Sequence, residues 1–345
     1  MRVFITGGAG LLGRAIAEHL IERGYEVALT DIIAETDVPH TTYAVCNILD
    51  YDSVRENLRG CDAVVHMAAV RNPIDQPGHV VYQINTAGTF NVFEAAAKEG
   101  IRRIVQASSI NAMGCAWNIG EFAPHYLPVD EDHPLATSDP YSFSKQQIEE
   151  IGGYFWRRDG ISSVAFRFPG IYRAEMRHTP QSIERRHAMR EFLDSFALLS
   201  QEERDQQIEQ VRLHCMAFRS ARRLEYPDGG WKIPPYDGID DRLAQAYTMD
   251  RFNLWALLDV RDAALAVEQA LTATFDGAHP LFVNDTHNSL DYDTQSLIRM
   301  FFPEVPRQKH PVEGSAALVS VKRAHDLIGF EPQYSVHGDR NVENS

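Results

Sequence analysis

The sequence predicts an α/β fold in which a doubly wound parallel sheet carries helices on both faces and a smaller part follows toward the C-terminus. Three observations carry that expectation. Short apolar runs alternate with stretches of helical period, a glycine-rich turn joins the first run to the first helix, and the pattern changes after about residue 168.

Val3-Phe4-Ile5-Thr6 has a buried-strand pattern, and Leu11, Leu12, Ala15, Ile16, His19 and Leu20 follow at helical spacing. Gly24 suits the C-cap of that helix, and 26–30 reads as a second strand ending on Asp31. A short helix is expected over 53–58, a buried strand over 63–67, a long helix over 80–98 and a strand over 103–107. Ile148, Ile151 and Phe155 set the period of a helix over 141–158, and 163–168 reads as the next strand. The N-terminal domain is therefore expected over 1–168, with its last elements returning near 256–262, and a second part over 169–345.

Within that second part, 183–224 is rich in Arg, Glu and Gln and reads as two amphipathic helices joined at Ser200, where Ser200 and Glu203 form a capping-box pattern. Phe192, Phe196 and Leu199 make one apolar stripe; Ile208, Val211, Cys215 and Phe218 make the other. Either the helices wall a site at the strand ends or they form a peripheral or dimer-contact insertion. The Pro-, Gly- and aromatic-rich 227–238 reads as a mobile loop.

Composition narrows the partners. The 345 residues hold 48 acidic against 33 basic side chains, a net charge of -15, which disfavours nucleic acid and anionic lipid. No apolar run approaches the ~20 residues of a membrane span. The scattered Cys46, Cys61, Cys115 and Cys215 form no metal-binding spacing and fit reduced thiols, so a cytoplasmic protein without a metal is expected.

The turn Thr6-Gly7-Gly8-Ala9-Gly10-Leu11-Leu12-Gly13 sets Gly7, Gly10 and Gly13 at Gly-x-x-Gly-x-x-Gly spacing between strand and helix. Such a turn lets backbone approach a pyrophosphate and the helix pack on the strand, as in a Rossmann-type dinucleotide site. Asp31, at the next strand end, would accept the ribose hydroxyls and repel a 2′-phosphate, which favours NAD over NADP. Arg14 near the turn is a weaker counter-signal. Tyr141-Ser142-Phe143-Ser144-Lys145 places a phenol and an ammonium on one helix face, where a neighbouring cation brings a phenol nearer to the range of a useful base.

With these motifs the sequence resembles the extended short-chain dehydrogenase/reductase family, which includes nucleotide-sugar epimerases and dehydratases. The resemblance runs to about Asp262 through the glycine turn, Asp31, His66-Met67-Ala68-Ala69, Asn85 with Gly88-Thr89, Ala107-Ser108-Ser109, Tyr141 with Lys145, and Asp259-Val260-Arg261-Asp262. It implies hydride transfer at a secondary alcohol or ketone of a sugar-like substrate, a smaller substrate-binding C-terminal part and a homodimer formed through the long helices. Tyr141 would exchange the proton, Ser109 would bond the reacting oxygen, and Lys145 would hold the nicotinamide ribose. NAD would further meet Gly7, Gly10, Leu11, Leu12, Gly13, Asp31, Asn47, Ile48, Ala68, Ala69, Val70 and Pro169, with Asn85 supporting the active-site backbone.

Departures from the family pattern bear on the substrate. Ile110 and Asn111 stand after Ser109 where dehydratases carry an acidic pair, so dehydration is not expected. Two residues that usually face a substrate phosphate fall on Gly170 and Trp255, with Arg251 or the arginines of the charged helices as substitutes. His66 reads as packed, Cys115 as a buried hydrophobe, and Trp117, Tyr126 and Trp231 as packing aromatics or sugar-stacking rings. Epimerase and net dehydrogenase both remain open at this level, as does a non-catalytic NAD-binding regulator. Tyr141→Phe is expected to lower turnover by ~100-fold or more with NAD binding retained, measured as NADH formation and cofactor titration.

Overall fold

Strand β1 (Arg2–Thr6) is an inner strand of a seven-stranded parallel sheet, and Val3, Phe4 and Ile5 are apolar on both faces, as a doubly covered strand requires. The computed structural model describes residues 1–222, 238–305 and 308–339. Helix α1 (Leu11–Glu22) leads to β2 (Glu26–Asp31) and β3 (Thr42–Val45), then α2 (Tyr51–Leu58) to β4 (Ala63–His66). Helix α3 (Gly78–Lys98) precedes β5 (Arg103–Ala107), and α4 (Pro140–Asp159) precedes β6 (Ser162–Arg167).

The strand order is β3-β2-β1-β4-β5-β6, completed at the edge by β9 (Ala278–Phe282). Winding reverses between β1 and β4, so their carboxyl ends open a crevice where α/β sheets bind ligands. Register brings Thr6 level with both Thr30 and His66 at that end. Val3 and Ile5 pack toward α1 and α9 (Val260–Thr272), while Phe4, Val64 and Ile104 pack on the other face with Phe93 and Phe155.

The elements after β6 include β7 (Gly170–Tyr172), α5 (Ala174–Arg177), α6 (Pro180–Ala197), α7 (Gln201–Ser220), α8 (Asp241–Gln245), β8 (Leu257–Asp259), α10 (Thr294–Phe301), α11 (Lys322–Ile328) and the hairpin β10 (Tyr334–Ser335) and β11 (Gly338–Asp339). Ile171 of β7, Leu258 of β8 and Ala324 and Ile328 of α11 pack into the first core, while helices α6, α7, α8 and α10 build a second core. Met189, Leu193 and Phe196 of α6 and Val211 and Cys215 of α7 pack with Trp255, Phe301 and Leu318, so the charged helices are built into this core. Their junction carries the expected capping box: Ser200 Oγ accepts the Glu203 N–H at 3.2 Å, and Glu203 Oε2 accepts the Ser200 N–H at 2.9 Å.

One expectation is corrected. The seventh strand of the main sheet is Ala278–Phe282; within 256–262, Leu257–Asp259 instead pairs with β7 in a separate two-stranded sheet and Val260 begins α9. Pro280 hides β9 from a search for strand-formers, and the edge position tolerates it because the missing N–H costs no second ladder bond. Strand β3 had no apolar run to announce it, being four residues long and largely exposed. The loop expected over 227–238, with Trp231, and the last two residues of 183–224 lie outside the described residues, Gly238 excepted.

Candidate active site

The glycine turn is held at the switch point by contacts that tolerate no side chain. Gly7 has φ +73°, and a Cβ there would stand 2.6 Å from the Ala68 nitrogen on β4's continuation. A Cβ on Gly13 would meet the Gly7 carbonyl oxygen at 2.2 Å, so α1 starts against the turn itself. Helix α1 has Gly10 as N-cap with no capping side chain and no acid in its first turn. The first N–H groups, including those of Leu11 and Leu12, thus have neither an intrahelical partner nor a competing carboxylate, which fits a pyrophosphate.

Asp31 closes the far side of this cradle. One carboxylate oxygen accepts the Ala9 N–H at 3.0 Å and the other the Ile32 N–H at 2.7 Å, which fixes the carboxylate at the strand end. Asn47 is exposed just after β3, beside Asp31, and its Oδ1 accepts the Leu49 N–H at 3.0 Å. Ile48 is buried, its side chain filling the space that Gly88 leaves open. Arg14, the counter-signal, is paired with Asp37 at 2.6 Å and caps the Ala9 carbonyl.

A chain of hydrogen bonds links the cradle to the helix carrying Tyr141. Thr89 Oγ donates to the Asn85 carbonyl at 2.6 Å, so it accepts from His66 Nε2 at 3.0 Å. His66 Nδ1 therefore accepts from Thr6 Oγ at 2.7 Å, and Thr6 Oγ accepts the Ala68 N–H at 3.2 Å. Burial, with Lys145 nearby, lowers the His66 pKa to about 3, so the ring is neutral and packed. Asn85, 1% exposed, grips Val70 through both N–H and C=O, at 2.8 and 3.0 Å, and donates to Ser144 Oγ at 2.8 Å. Ala69 and Val70 are thereby set beside α3, half-buried along the cofactor crevice.

Ser109, Tyr141 and Lys145 converge at the ends of β5 and α4. Asp139 caps α4 by accepting the Ser142 N–H at 2.9 Å, which sets Tyr141 in the first turn. Burial raises Tyr141 to about 12, opposed by the Ser109 hydroxyl directed at the phenol and by the charge of Arg71. Lys145 donates to the Ala107 carbonyl at 2.7 Å, and burial lowers it to about 8 against the pull of Glu149. The expected lowering of the phenol by Lys145 is not what this arrangement produces, because the ammonium is turned to the strand end, 5.8 Å from the tyrosine ring centre. Behind it, Glu149 accepts both Arg167, at 2.8 and 3.0 Å, and Ser108, at 2.7 Å.

Ser109 and Tyr141 line one cavity of about 260 Å³, together with Pro169, Gly170 and Trp117. Its opposite wall is Cys215, Phe218 and Arg219 of α7 with Thr248, Met249 and Asn253. Arg71 and Asn111 were not anticipated as lining residues, although Arg71 directly follows the expected cofactor residues and Asn111 lies two after Ser109, so adjacency was a signal for both. Arg219 is one of the charged-helix arginines expected as substitutes for the missing phosphate partners, and it lines the cavity. Trp255 is buried among Phe301 and Phe302, and Arg251 is consumed by the Phe301 carbonyl, Glu304 and Glu121, so Arg251 does not substitute as a phosphate partner. Cys115 is fully buried, with its thiol pushed up by burial, and Tyr126 donates to Asp130; both are structural.

A seven-stranded parallel sheet with this cradle at its switch point defines a dinucleotide-binding α/β protein. The chain belongs to the NAD dependent epimerase/dehydratase family, whose model matches residues 3–204. It is 29% identical over 168 residues to a uronate dehydrogenase of Pseudomonas syringae pv. tomato, covering 48% of this chain and 58% of that protein. It is 30% identical over 183 residues to a UDP-glucose 4-epimerase of Bacillus subtilis, covering 48% of this chain and 51% of the relative. The matched stretch thus spans little more than half the length of these relatives. The fold is also that of a UDP-glucose 4-epimerase from Thermotoga maritima solved with UDP-glucose, at TM-score 0.60 and 17% identity over 97% of this chain and 95% of that one.

The cradle generates a cofactor prediction. The wild type prefers NAD, and in Asp31→Ala the ratio of kcat/KM for NAD over NADP falls by ~10-fold or more, the scale of one like-charge contact removed.

Proposed function

We propose that this chain is an enzyme of NAD-dependent hydride transfer at a secondary alcohol of a sugar-like substrate, and that its net reaction is dehydrogenation of a single sugar rather than epimerisation of a nucleotide sugar. The observation that carries the reading is that Ser109 and Tyr141 share a small walled cavity lacking phosphate partners at the two expected positions, Gly170 and Trp255. At about 260 Å³ the cavity falls below the roughly 300–1,000 Å³ of sites for larger ligands. A purely cofactor-sensing role would leave this convergence unexplained.

NAD held at the cradle would supply the hydride acceptor. Tyr141 Oη would take the hydroxyl proton, Ser109 Oγ would orient the reacting oxygen, and Lys145 would hold the nicotinamide ribose. Gly7, Gly10, Leu11, Leu12 and Gly13 would hold the pyrophosphate, Asp31 the ribose, Asn47 and Ile48 the adenine edge, and Ala68, Ala69, Val70 and Pro169 the nicotinamide half. The deciding experiment follows NADH absorbance across free sugars, uronates and nucleotide sugars. NADH accumulation supports dehydrogenation; tightly held NAD with product formed and no NADH released supports epimerisation.

A homodimer and a cytoplasmic setting complete the proposal. Helices α3 and α4 expose two stacked aromatic pairs, Tyr82 with Phe143 and Phe90 with Tyr154, each ring 36–42% exposed, and a second copy would cover them. All four cysteines are buried and unbridged, which suits a reducing compartment. Among the described residues no helix is long and apolar enough to cross a membrane.

Two outcomes are expected. Burial pushes the Tyr141 phenol up to about 12, so kcat/KM for alcohol oxidation climbs with pH through neutrality without levelling off there. A pH–rate profile checks this, and a plateau near neutral pH counts against Tyr141 as the base. Light scattering gives twice the monomer mass, and the double variant Phe143→Glu, Tyr154→Glu returns it to the monomer.

A further inference from the structure

Three arginines are buried in the described residues: Arg167, Arg219 and Arg251, at 2–3% exposure. A cation taken out of water needs a counter-charge. Arg167 has Glu149 at 2.8 Å, and Arg251 has Glu304 at 3.2 Å and Glu121 at 3.4 Å. Arg219 has no carboxylate within 4 Å among the described residues. Its guanidinium donates to the Ala116 and Asn118 carbonyls at 2.9 and 2.7 Å, to Cys215 Sγ at 3.3 Å and weakly to the Thr248 carbonyl at 3.5 Å, and it lies 3.7 Å over the Phe252 ring. Among the described residues one Nη2 N–H has no acceptor.

Arg219 is also the one of the three that lines the cavity shared by Ser109 and Tyr141. Arg71, exposed and without an ion pair among the described residues, lines the same cavity. In a chain of net charge -15, the described lining holds these two arginines and no Asp or Glu. The field in the cavity is therefore opposite in sign to that of the molecule as a whole, and it selects anions.

We propose that Arg219 determines specificity by binding an anionic group of the substrate, so that the sugar oxidised is an acid or a phosphate ester and its anion supplies the missing counter-charge. The inference rests on the hydride-transfer reading above. Arg219 approaches from α7, while Tyr141 approaches from the first turn of α4 and Ser109 from the end of β5, which sets the anion and the reacting alcohol at different walls of one cavity. Cation–π contact with Phe252 and the carbonyls of Ala116 and Asn118 hold the guanidinium in place before the ligand arrives.

The test measures initial rates of NADH formation by the full chain at saturating NAD on matched triplets: galactose, galacturonate and galactose phosphate, and the same set for glucose. The wild type is expected to favour an anionic member over its neutral partner by ~10-fold or more in kcat/KM, the scale of a hydrogen bond to a charged group. A uronate preference identifies a carboxylate and a phosphate-ester preference a phosphate; either supports the proposal. In Arg219→Met the ratio collapses toward one, and Arg219→Lys retains part of it. A wild type that oxidises neutral sugars as well as acids, or an Arg219→Met that keeps the preference, overturns it. If Arg219→Met fails to bind NAD, and so to fold, Arg219→Lys decides, because an unchanged ratio there is equally fatal. If no sugar is oxidised, the hydride-transfer reading fails by itself, and thermal shift with galacturonate against galactose judges the anion site: a selective rise supports it, and none overturns it.

Discussion

The approach of Gly7 to Ala68 is the contact on which the rest of this structure depends. It brings the ends of β1 and β4 together at the point where the sheet's winding reverses, with only 2.6 Å available to a Cβ. A side chain there would push the turn off the strand, and with it the α1 N-terminus, because Gly13 is packed against the same turn. Thr6 and His66, level in register, translate that backbone contact into hydrogen bonds that reach Thr89 and Asn85. Through Asn85 the position of Val70 and the start of α4 are tied to the same frame. One chain of hydrogen bonds consequently ties the glycine cradle to the helix bearing Tyr141.

Behind the reacting groups the charges are balanced in layers. Lys145 is drawn to the Ala107 carbonyl and steadied by Glu149, which is in turn neutralised by Arg167 across β6. Tyr141, Lys145 and Glu149 recur every four residues, so one face of α4 carries the phenol, the ammonium and the carboxylate in line. A buried pair like Glu149 with Arg167 adds little net stability, since desolvation offsets much of the attraction. Its role here is geometric: through Ser108 it holds the end of β5 against α4.

The second core explains why a chain with an ordinary cofactor half has an unusual substrate half. Helices α6 and α7 are highly charged outside, yet Leu193, Phe196, Val211 and Cys215 are buried with Trp255 and Phe301. Where the family pattern led to a phosphate partner, Trp255 instead anchors this core, and Arg251 spends its donors on carbonyls and carboxylates inside it. The wall opposite Tyr141 is made by what remains of α7's inner face.

The sequence by itself determined the alternating parallel architecture, the glycine turn, the capping box at Ser200 and the candidate groups Ser109, Tyr141 and Lys145. Each of these is a local pattern, set by period, turn geometry or spacing along one helix, and local physics is readable without the fold. Strand β9 was hidden by Pro280, and β3 by its exposure, because an edge strand owes its existence to pairing rather than to composition. Only tertiary structure decided that Lys145 turns to Ala107, that Arg14 is held by Asp37, that Arg251 is buried and that Arg219 faces the cavity. The reason is physical: whether an arginine is a structural ion pair or an open donor depends on which carboxylates lie within ångströms of it, and those come from 50 residues or more away for Arg251 and not at all among the described residues for Arg219.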